Sequence, residues 1–205
     1  MPTRRQTLFA MGNLFVLGGI AGSGASVVVS SSAGASFRVV DTTDGDIELT
    51  PANDPPVHVQ TDADGYVSAL TPGGDDGGLN TRAVTRFEDI VQITNVGTED
   101  IVGIYFSFDA TSDTLSAATL DAIEATLQAT AASDTLDSSG LSGDNLLAVS
   151  PSPSVADGVL EPGEAVPFGL RVDLTPTGRG ETLEALPPSD DYDVTVRVHT
   201  EWPDQ

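Results

Sequence analysis

The sequence predicts a mainly antiparallel β fold, either a sandwich or a barrel, for most of its 205 residues. Apolar residues alternate with other residues in three segments, 102–108, 166–174 and 192–199. A period of two places alternate side chains on one face of a strand, which is typical of antiparallel sheets with one solvated face. Many short strands separated by turn residues indicate a sandwich or barrel. The further strand candidates are 37–39, 47–49, 57–59 and 87–94, and the turns that separate strands include Asp44-Gly45, Asp64-Gly65, Asn95-Val96-Gly97 and Pro162-Gly163.

The same period predicts which polar residues face solvent. Four of them lie at the phase opposite to the apolar positions of their strands and are expected on a wet face: Arg171, Asp173, Arg197 and His199. The second histidine, His58, lies at the outward phase of candidate strand 57–59. A zinc enzyme needs three protein ligands at set spacing, and the chain has no His-Glu-x-x-His motif. We therefore interpret both histidines as solvated strand residues rather than as ligands of a shared metal.

One segment predicts a helix instead of a strand. Residues 116–132 are rich in alanine, and Leu120, Ile123 and Leu127 recur at helical spacing. We expect one inserted helix around 117–131, with a narrow apolar face that packs across the edge of the sandwich. The next segment, 133–158, is rich in Ser, Asp, Gly and Pro and predicts a long loop.

The first 25 residues predict an export signal. The pair Arg4-Arg5 precedes an apolar, glycine-rich run that ends in small residues, which is the order of a signal peptide. The run is shorter than the roughly 20 apolar residues that a membrane-spanning helix needs. Residues 3–8 partly match a twin-arginine signal, so a twin-arginine-like route and the general secretory route both remain open.

Cleavage would follow Ala25, or Ala35 at a second small-residue site. We expect residues 26–205 to form a single β-sandwich domain that starts with a strand segment over 26–35. No stable membrane span would remain after cleavage. The alternative is an uncleaved N-terminal anchor that continues through Val27 to Val29.

The charge is strongly acidic. The chain has 31 acidic residues against 8 basic ones, every one of which is arginine, for a net charge of −23. Two of the arginines lie in the leader, so six remain against 31 acids and the mature net charge is −25. Such a surface repels nucleic acid and anionic membranes. Abundant Asp without Lys indicates a protein adapted to concentrated salt, with a haloarchaeal source, and the alternative is an ordinary acidic secreted protein.

Motifs of the common catalytic classes are missing from the sequence. The chain has no cysteine, which excludes disulfides, thiol nucleophiles and cysteine-based metal sites. It has no Gly-x-Ser-x-Gly elbow, and the run 73–78 carries aspartates rather than the lysine of a phosphate-binding loop. We therefore expect the protein not to be an enzyme.

Calcium is the cofactor that the acidic residues favour, because hard cations bind carboxylate oxygens. One candidate cluster falls within a single turn and comprises Asp41, Asp44, Asp46 and Glu48. A second acidic group contains Asp62, Asp64, Asp75 and Asp76. Neither group has the spacing of an EF-hand loop, and in a chain this acidic such clusters also arise without a ligand.

Five short motifs follow one another along the chain: 62–66 (Asp-Ala-Asp-Gly-Tyr), 78–80 (Gly-Leu-Asn), 87–98 with Thr-Asn-Val-Gly-Thr at its end, 102–104 (Val-Gly-Ile), and 160–164 (Leu-Glu-Pro-Gly-Glu). With the leader, this order resembles the camelysin/TasA-like superfamily of secreted proteins, in particular its haloarchaeal branch of uncharacterised domains. The resemblance implies a jelly-roll-like β-sandwich at the cell surface. Some relatives form fibres by lending an N-terminal strand to the neighbouring subunit. Camelysin is described as a metalloprotease, but no protease motif is present here, so that activity is not expected.

We therefore expect a non-enzymatic, secreted cell-surface or extracellular matrix protein, which would be a filament subunit that exchanges an N-terminal strand. Val27, Val28 and Val29 would form this strand, because they have high β propensity and a Ser/Gly/Ala joint separates them from Phe37. The expected partners are copies of the chain itself or other surface proteins. The alternatives are a monomeric envelope-associated binding module and a metal-dependent hydrolase.

We predict that the mature protein requires salt to fold. A net charge of −25 on about 180 residues repels itself, and the Debye length falls to about 3 Å only near 1 M salt. Circular dichroism during a KCl titration should show a cooperative β spectrum that is lost at low ionic strength. A β spectrum that does not change between low and high KCl would contradict this prediction.

Overall fold

The computed structural model describes residues 37–41, 46–72, 79–175, 183 and 185–203. Over these residues the fold is mainly β, with ten strands and two short α-helices, α1 (Ala117–Ala125) and α2 (Leu146–Val149). The strands are β1 (Phe37–Asp41), β2 (Ile47–Pro51), β3 (Val59–Thr61), β4 (Val67–Leu70), β5 (Val84–Asn95), β6 (Gly103–Thr111), β7 (Leu127–Ala131), β8 (Asp134–Thr135), β9 (Ala165–Asp173) and β10 (Asp193–Glu201).

The strands form two five-stranded sheets. The first sheet has the order β3-β4-β1-β10-β6, and the second has the order β2-β5-β9-β7-β8. Neighbouring strands are antiparallel, as the alternation predicts, except that β1 and β10 are parallel, with Phe37 opposite Val194. The first and last described strands are therefore neighbours in the middle of one sheet.

The two sheets bury one continuous apolar core. The predicted alternation is confirmed in β6, β9 and β10, where the residues of the apolar phase are buried. Phe106 of the first sheet and Phe168 of the second lie with their ring centroids 4.7 Å apart. This contact joins the two sheets through aromatic side chains that are almost fully buried.

Strand β5 contains a bulge that one glycine permits. The register between β5 and β9 shifts between Phe87 and Val91, and Asp89 within the bulge has a φ of 48°. On the facing strand, a Cβ atom at Gly169 would lie 2.1 Å from the carbonyl oxygen of Phe87. Only glycine allows this close approach of the two backbones.

The predicted helix is correct at its start and wrong at its end. Helix α1 begins after Ser116, whose side chain accepts a hydrogen bond from the amide of Thr119. It ends at Ala125, and the segment 127–131, which was expected to continue the helix, is strand β7. All five residues of β7 are buried, and Leu127 lies opposite Val172 of β9. The ladder to β9 thus outweighs the helical preference of this alanine-rich sequence.

The expected loop over 133–158 is a packed segment with structure of its own. It contains β8, α2 and two 3-10 turns, at Gly140–Ser142 and Pro153–Val155. Four of its apolar side chains belong to the core: Leu136, Leu146, Leu147 and Val155. The loop prediction depended on the polar composition of the segment and gave no weight to these few apolar residues, which pack the segment against the sheets.

The expected leader and the assembly strand, Val27 to Val29, lie outside the described residues. Within the described part of the chain, neither helix has the length and apolar character that crossing a bilayer requires.

We predict that Phe168→Ala lowers the free energy of unfolding by about 3–5 kcal/mol, because it removes a buried ring that joins the two sheets. Val84→Ala is the control, since Val84 lies on β5 but is 46% exposed, and such a surface change costs about 0.5 kcal/mol or less. Urea unfolding in high salt, followed by circular dichroism, measures both values. Equal losses in the two variants would show that the assigned core is wrong.

Candidate functional site

Asn95 joins two of the sequence motifs in space. Its side-chain amide donates to the carbonyl oxygens of Glu99 at 2.8 Å and Leu160 at 2.9 Å, and its carbonyl oxygen accepts from the amide of Gly97. Its backbone amide donates to Glu164, and its backbone oxygen accepts from Gly163 at 2.7 Å. The Thr-Asn-Val-Gly-Thr turn and the Leu-Glu-Pro-Gly-Glu turn therefore form one hydrogen-bonded unit around a fully buried side chain.

A hollow of about 340 Å³ lies beside this unit, and Asp46, Thr98, Glu99 and Trp202 line it. Asp46 comes immediately before β2, Thr98 and Glu99 belong to the turn between β5 and β6, and Trp202 follows β10. The backbone oxygen of Asp46 accepts from the amides of both Val96 and Gly97. Three distant parts of the chain thus meet at one concave surface.

The predicted calcium cluster is described only in part. Asp44 lies outside the described residues, and for Asp41 only the backbone is described. Asp46 lines the hollow, while the Glu48 carboxylate accepts a hydrogen bond from the hydroxyl of Tyr66 at 3.1 Å. Among the described residues, no three acidic or histidine side chains gather as a metal site would require. Calcium binding by the four residues stays a prediction.

The second acidic group starts at a tight turn. The Asp62 carboxylate accepts from the backbone amides of Asp64 at 2.9 Å and Tyr66 at 3.0 Å, which is a common structural use of aspartate before a glycine turn. Asp75 and Asp76 lie outside the described residues. The two described aspartates therefore have a local structural role.

His199 lies on the outer face of β10 and contacts a serine that the sequence interpretation missed. Its Nε2 atom is 3.0 Å from the hydroxyl of Ser107 on β6. Burial and the nearby Arg197 lower the pKa of His199, against the opposing effect of Asp109, so the protein favours the neutral imidazole. Arg197 in turn pairs with Asp109, and the face is half-buried rather than fully solvated. The sequence contained one indication of this contact, because Ser107 lies at the outward phase of predicted strand 102–108, as His199 does in strand 192–199.

The other predicted strand histidine, His58, is not in a strand. It precedes β3 with a φ of 62°, and its ring lies edge-on to Phe87 with centroids 4.7 Å apart. The prediction that His58 is a solvated strand residue is therefore wrong, because the turn directs its ring onto a half-buried aromatic side chain. The two histidines lie on different elements and form no common site within the described structure.

Asp173 is buried, and its predicted place on a wet face is wrong. Its carboxylate pairs with Arg171 at 2.7 Å and accepts two hydrogen bonds from Thr175. The other terminal nitrogen of Arg171 donates to Gln128 of β7 at 2.6 Å. Burial by itself raises the pKa of Asp173, but the bonds from Thr175 and Arg171 together hold it below its usual value.

The long edge of the first sheet, strand β6, is covered. The Asn145 side chain donates to the carbonyl of Val102 and accepts from the amide of Ile104. The Glu124 carboxylate accepts from the amide of Ala110 at 2.7 Å, and Ser139 forms a bridge to Ser107. These contacts satisfy backbone groups that would otherwise invite a further strand.

Strand β2 is the edge of the second sheet and pairs only with β5. Asp46 and Ala52, which flank β2, form backbone hydrogen bonds with Val96 and Ile90, which flank the paired part of β5. Because bonding alternates along an antiparallel strand, the even-numbered residues of β2 also bond to β5. The backbone groups of Ile47 and Leu49 therefore point away from β5, while their side chains are buried. Over the described residues, this five-residue strand is the longest edge without a cover.

No family model, curated protein or solved structure matches the chain.

We predict that Asp173→Asn lowers the free energy of unfolding by about 3 kcal/mol near pH 7, because it removes one partner of a buried ion pair. The lowered pKa means that ionised Asp173 contributes stability above about pH 4, the usual aspartate range, and that this contribution is lost as the pH falls through the folded-state value. The difference between wild type and variant should therefore shrink below pH 4. Urea unfolding at several pH values and constant KCl measures it, and a difference that is independent of pH would contradict the assignment.

Proposed function

We propose that the chain is a secreted, non-enzymatic structural protein of a cell surface or extracellular matrix, built as a jelly-roll-like β-sandwich that polymerises by strand addition. The observation that supports this proposal most directly is the free edge of β2. It combines outward-pointing backbone groups with buried apolar side chains at Ile47 and Leu49. Such an edge accepts an added strand from another chain.

The other three edges are poorer acceptors. Strands β3 and β8 have three and two residues, and β6 is covered by side chains and by the segment around Ser139. Proteins commonly protect themselves from unwanted pairing by short or covered edges. The selective exposure of β2 therefore favours a single acceptor site on each subunit.

The proposed donor is Val27 to Val29 of a second copy. The joint Ser30 to Ser36 connects it to Phe37, and seven extended residues reach at most about 25 Å. Phe37 starts a strand of the first sheet, whereas the acceptor edge belongs to the second sheet. Donor and acceptor are thus different surfaces, and a repeated contact of this kind builds an open filament rather than a closed dimer.

Polymerisation also requires that like charges approach each other. Each mature subunit carries −25, so subunits repel one another until salt screens the charge. The proposed function therefore belongs to a salty extracellular environment, which agrees with the composition.

A binding module remains the second candidate, and the hollow at Trp202 is the observation that favours it. A hydrolase is less well supported. The Ser107–His199 pair lies beside the positive charge of Arg197, which disfavours the imidazolium that general-base catalysis would form. We interpret this pair as a cross-strand polar contact.

We predict that replacing Val27, Val28 and Val29 together by serine abolishes filaments while leaving the fold intact, because the donor strand loses its apolar side chains. Negative-stain microscopy and light scattering in about 1 M KCl measure assembly, and circular dichroism reports the fold. The matched control replaces Ser30, Ser31 and Ser32 by alanine, which changes the same number of neighbouring residues and should still assemble.

The acceptor is tested separately. Thr50→Lys places a long charged side chain on β2 and should block growth, whereas Gln60→Lys on the β3 edge should not. A valine-to-serine variant that still forms filaments, or a wild-type protein that stays monomeric at all salt concentrations, would exclude this mode of assembly. Loss of the fold in the valine variant would place that segment in its own subunit.

A further inference from the structure

The hollow lined by Asp46, Thr98, Glu99 and Trp202 has a composition that selects its ligand. Of the four described residues that line it, two carry carboxylates, one carries a hydroxyl and one is the single tryptophan of the chain. None of the described residues that line the hollow is Arg or His, so no described basic side chain of the lining neutralises the two carboxylates. An anion would be repelled here, and a cation would be attracted.

The site is held in shape before any ligand arrives. Asn95 fixes the turn that carries Thr98 and Glu99 through its bond to the Glu99 carbonyl oxygen. Two backbone amides hold the carbonyl of Asp46, and a Cβ atom at Gly97 would lie only 3.2 Å from the Asp46 Cβ. A larger residue at position 97 would displace Asp46 by a few tenths of an ångström. A pre-formed site loses little conformational freedom on binding.

Trp202 is held from the other side. It is half-buried and packs against the apolar core, and the preceding residue, Glu201, accepts a backbone hydrogen bond from Val102 at 2.9 Å. Tryptophan offers the best aromatic face for a cation, and the interaction is strengthened where water is partly excluded. The hollow, at about 340 Å³, is at the small end of the range for ligand sites.

A bare metal ion fits this site poorly. Calcium takes six to eight oxygen ligands, and the described residues here form no group of three acidic or histidine side chains. An indole adds no ligand for a hard cation. A soft, weakly hydrated organic cation uses both the carboxylates and the ring, and these short-range contacts persist in concentrated salt better than long-range attraction does.

We propose that this hollow is a binding site for a small organic cation that carries an ammonium or guanidinium group. The carboxylates of Asp46 and Glu99 balance its charge, the Trp202 ring covers it, and Thr98 offers a hydroxyl to a polar substituent. The site lies next to β2 and does not depend on filament formation.

Trp202 itself reports on binding, because it is the only tryptophan. The test titrates the folded protein with choline and with its uncharged isostere, 3,3-dimethylbutan-1-ol, at constant KCl, and follows tryptophan fluorescence. We expect a saturable change with choline and only a weak, linear change with the isostere. The same titration with methyl α-glucoside tests a neutral saccharide in the site.

Variants assign the response to the site. Glu99→Gln and Asp46→Asn should each weaken choline binding by about two- to fivefold, the upper part of the range for one partly exposed charge pair. Asp121→Asn is the matched control, since it removes the same charge from an exposed position on α1, and it should bind as wild type does. Trp202→Leu, followed by calorimetry, should abolish binding while circular dichroism shows an unchanged fold.

Three results would overturn the proposal: equal responses to choline and its isostere, a saturable response to the glucoside without one to choline, or choline binding that Glu99→Gln and Asp46→Asn leave unchanged in folded protein. A choline response that is linear up to about 100 mM, far weaker than the micromolar to millimolar range of ordinary ligand sites, would do the same.

Discussion

The side-chain amide of Asn95 is fully buried, so its hydrogen bonds have to be made within the protein. It makes three, to Gly97, Glu99 and Leu160, and its backbone makes two more to the turn before β9. Leaving such a group without partners costs about 1–3 kcal/mol per missing bond. Because the chain passes from the second sheet to the first at this turn, the satisfied amide fixes the junction between the two sheets and one wall of the hollow beside Trp202.

The few positive charges of this acidic chain are used for particular structural contacts. Arg86 donates to backbone oxygens of the turn after β7, Arg171 pairs with buried Asp173, and Arg197 pairs with Asp109 across β6 and β10. Arg171 also donates to Gln128 of β7, so its planar guanidinium joins a residue of its own strand to a neighbouring strand. Many of the other described acidic residues are exposed, which is the arrangement that an acidic, salt-screened surface needs.

The alternating pattern of the sequence predicted the strands that bury only one of their two faces. The alternation in β6, β9 and β10 identified their buried faces, because each has one side against the core. The pattern failed in β7, because both faces of this strand are buried. It also failed at Asp173, which is on the outer face of β9 but is buried in an ion pair with Arg171. The hollow could not be predicted at all, because Asp46, Glu99 and Trp202 are distant in sequence and meet only through the Asn95 turn. Its one linear signal was a single tryptophan, three residues beyond the predicted strand 192–199.

Parallel pairing of β1 with β10 sets the order in which the protein can be completed. Phe37 lies opposite Val194, so β1 lacks its central neighbour in the first sheet until the ribosome has released β10. Contacts over such a sequence distance close slowly, so the first sheet is completed late in folding. Until β10 is available, β1 and β6 each present an unpaired edge, and such edges favour aggregation of the nascent chain.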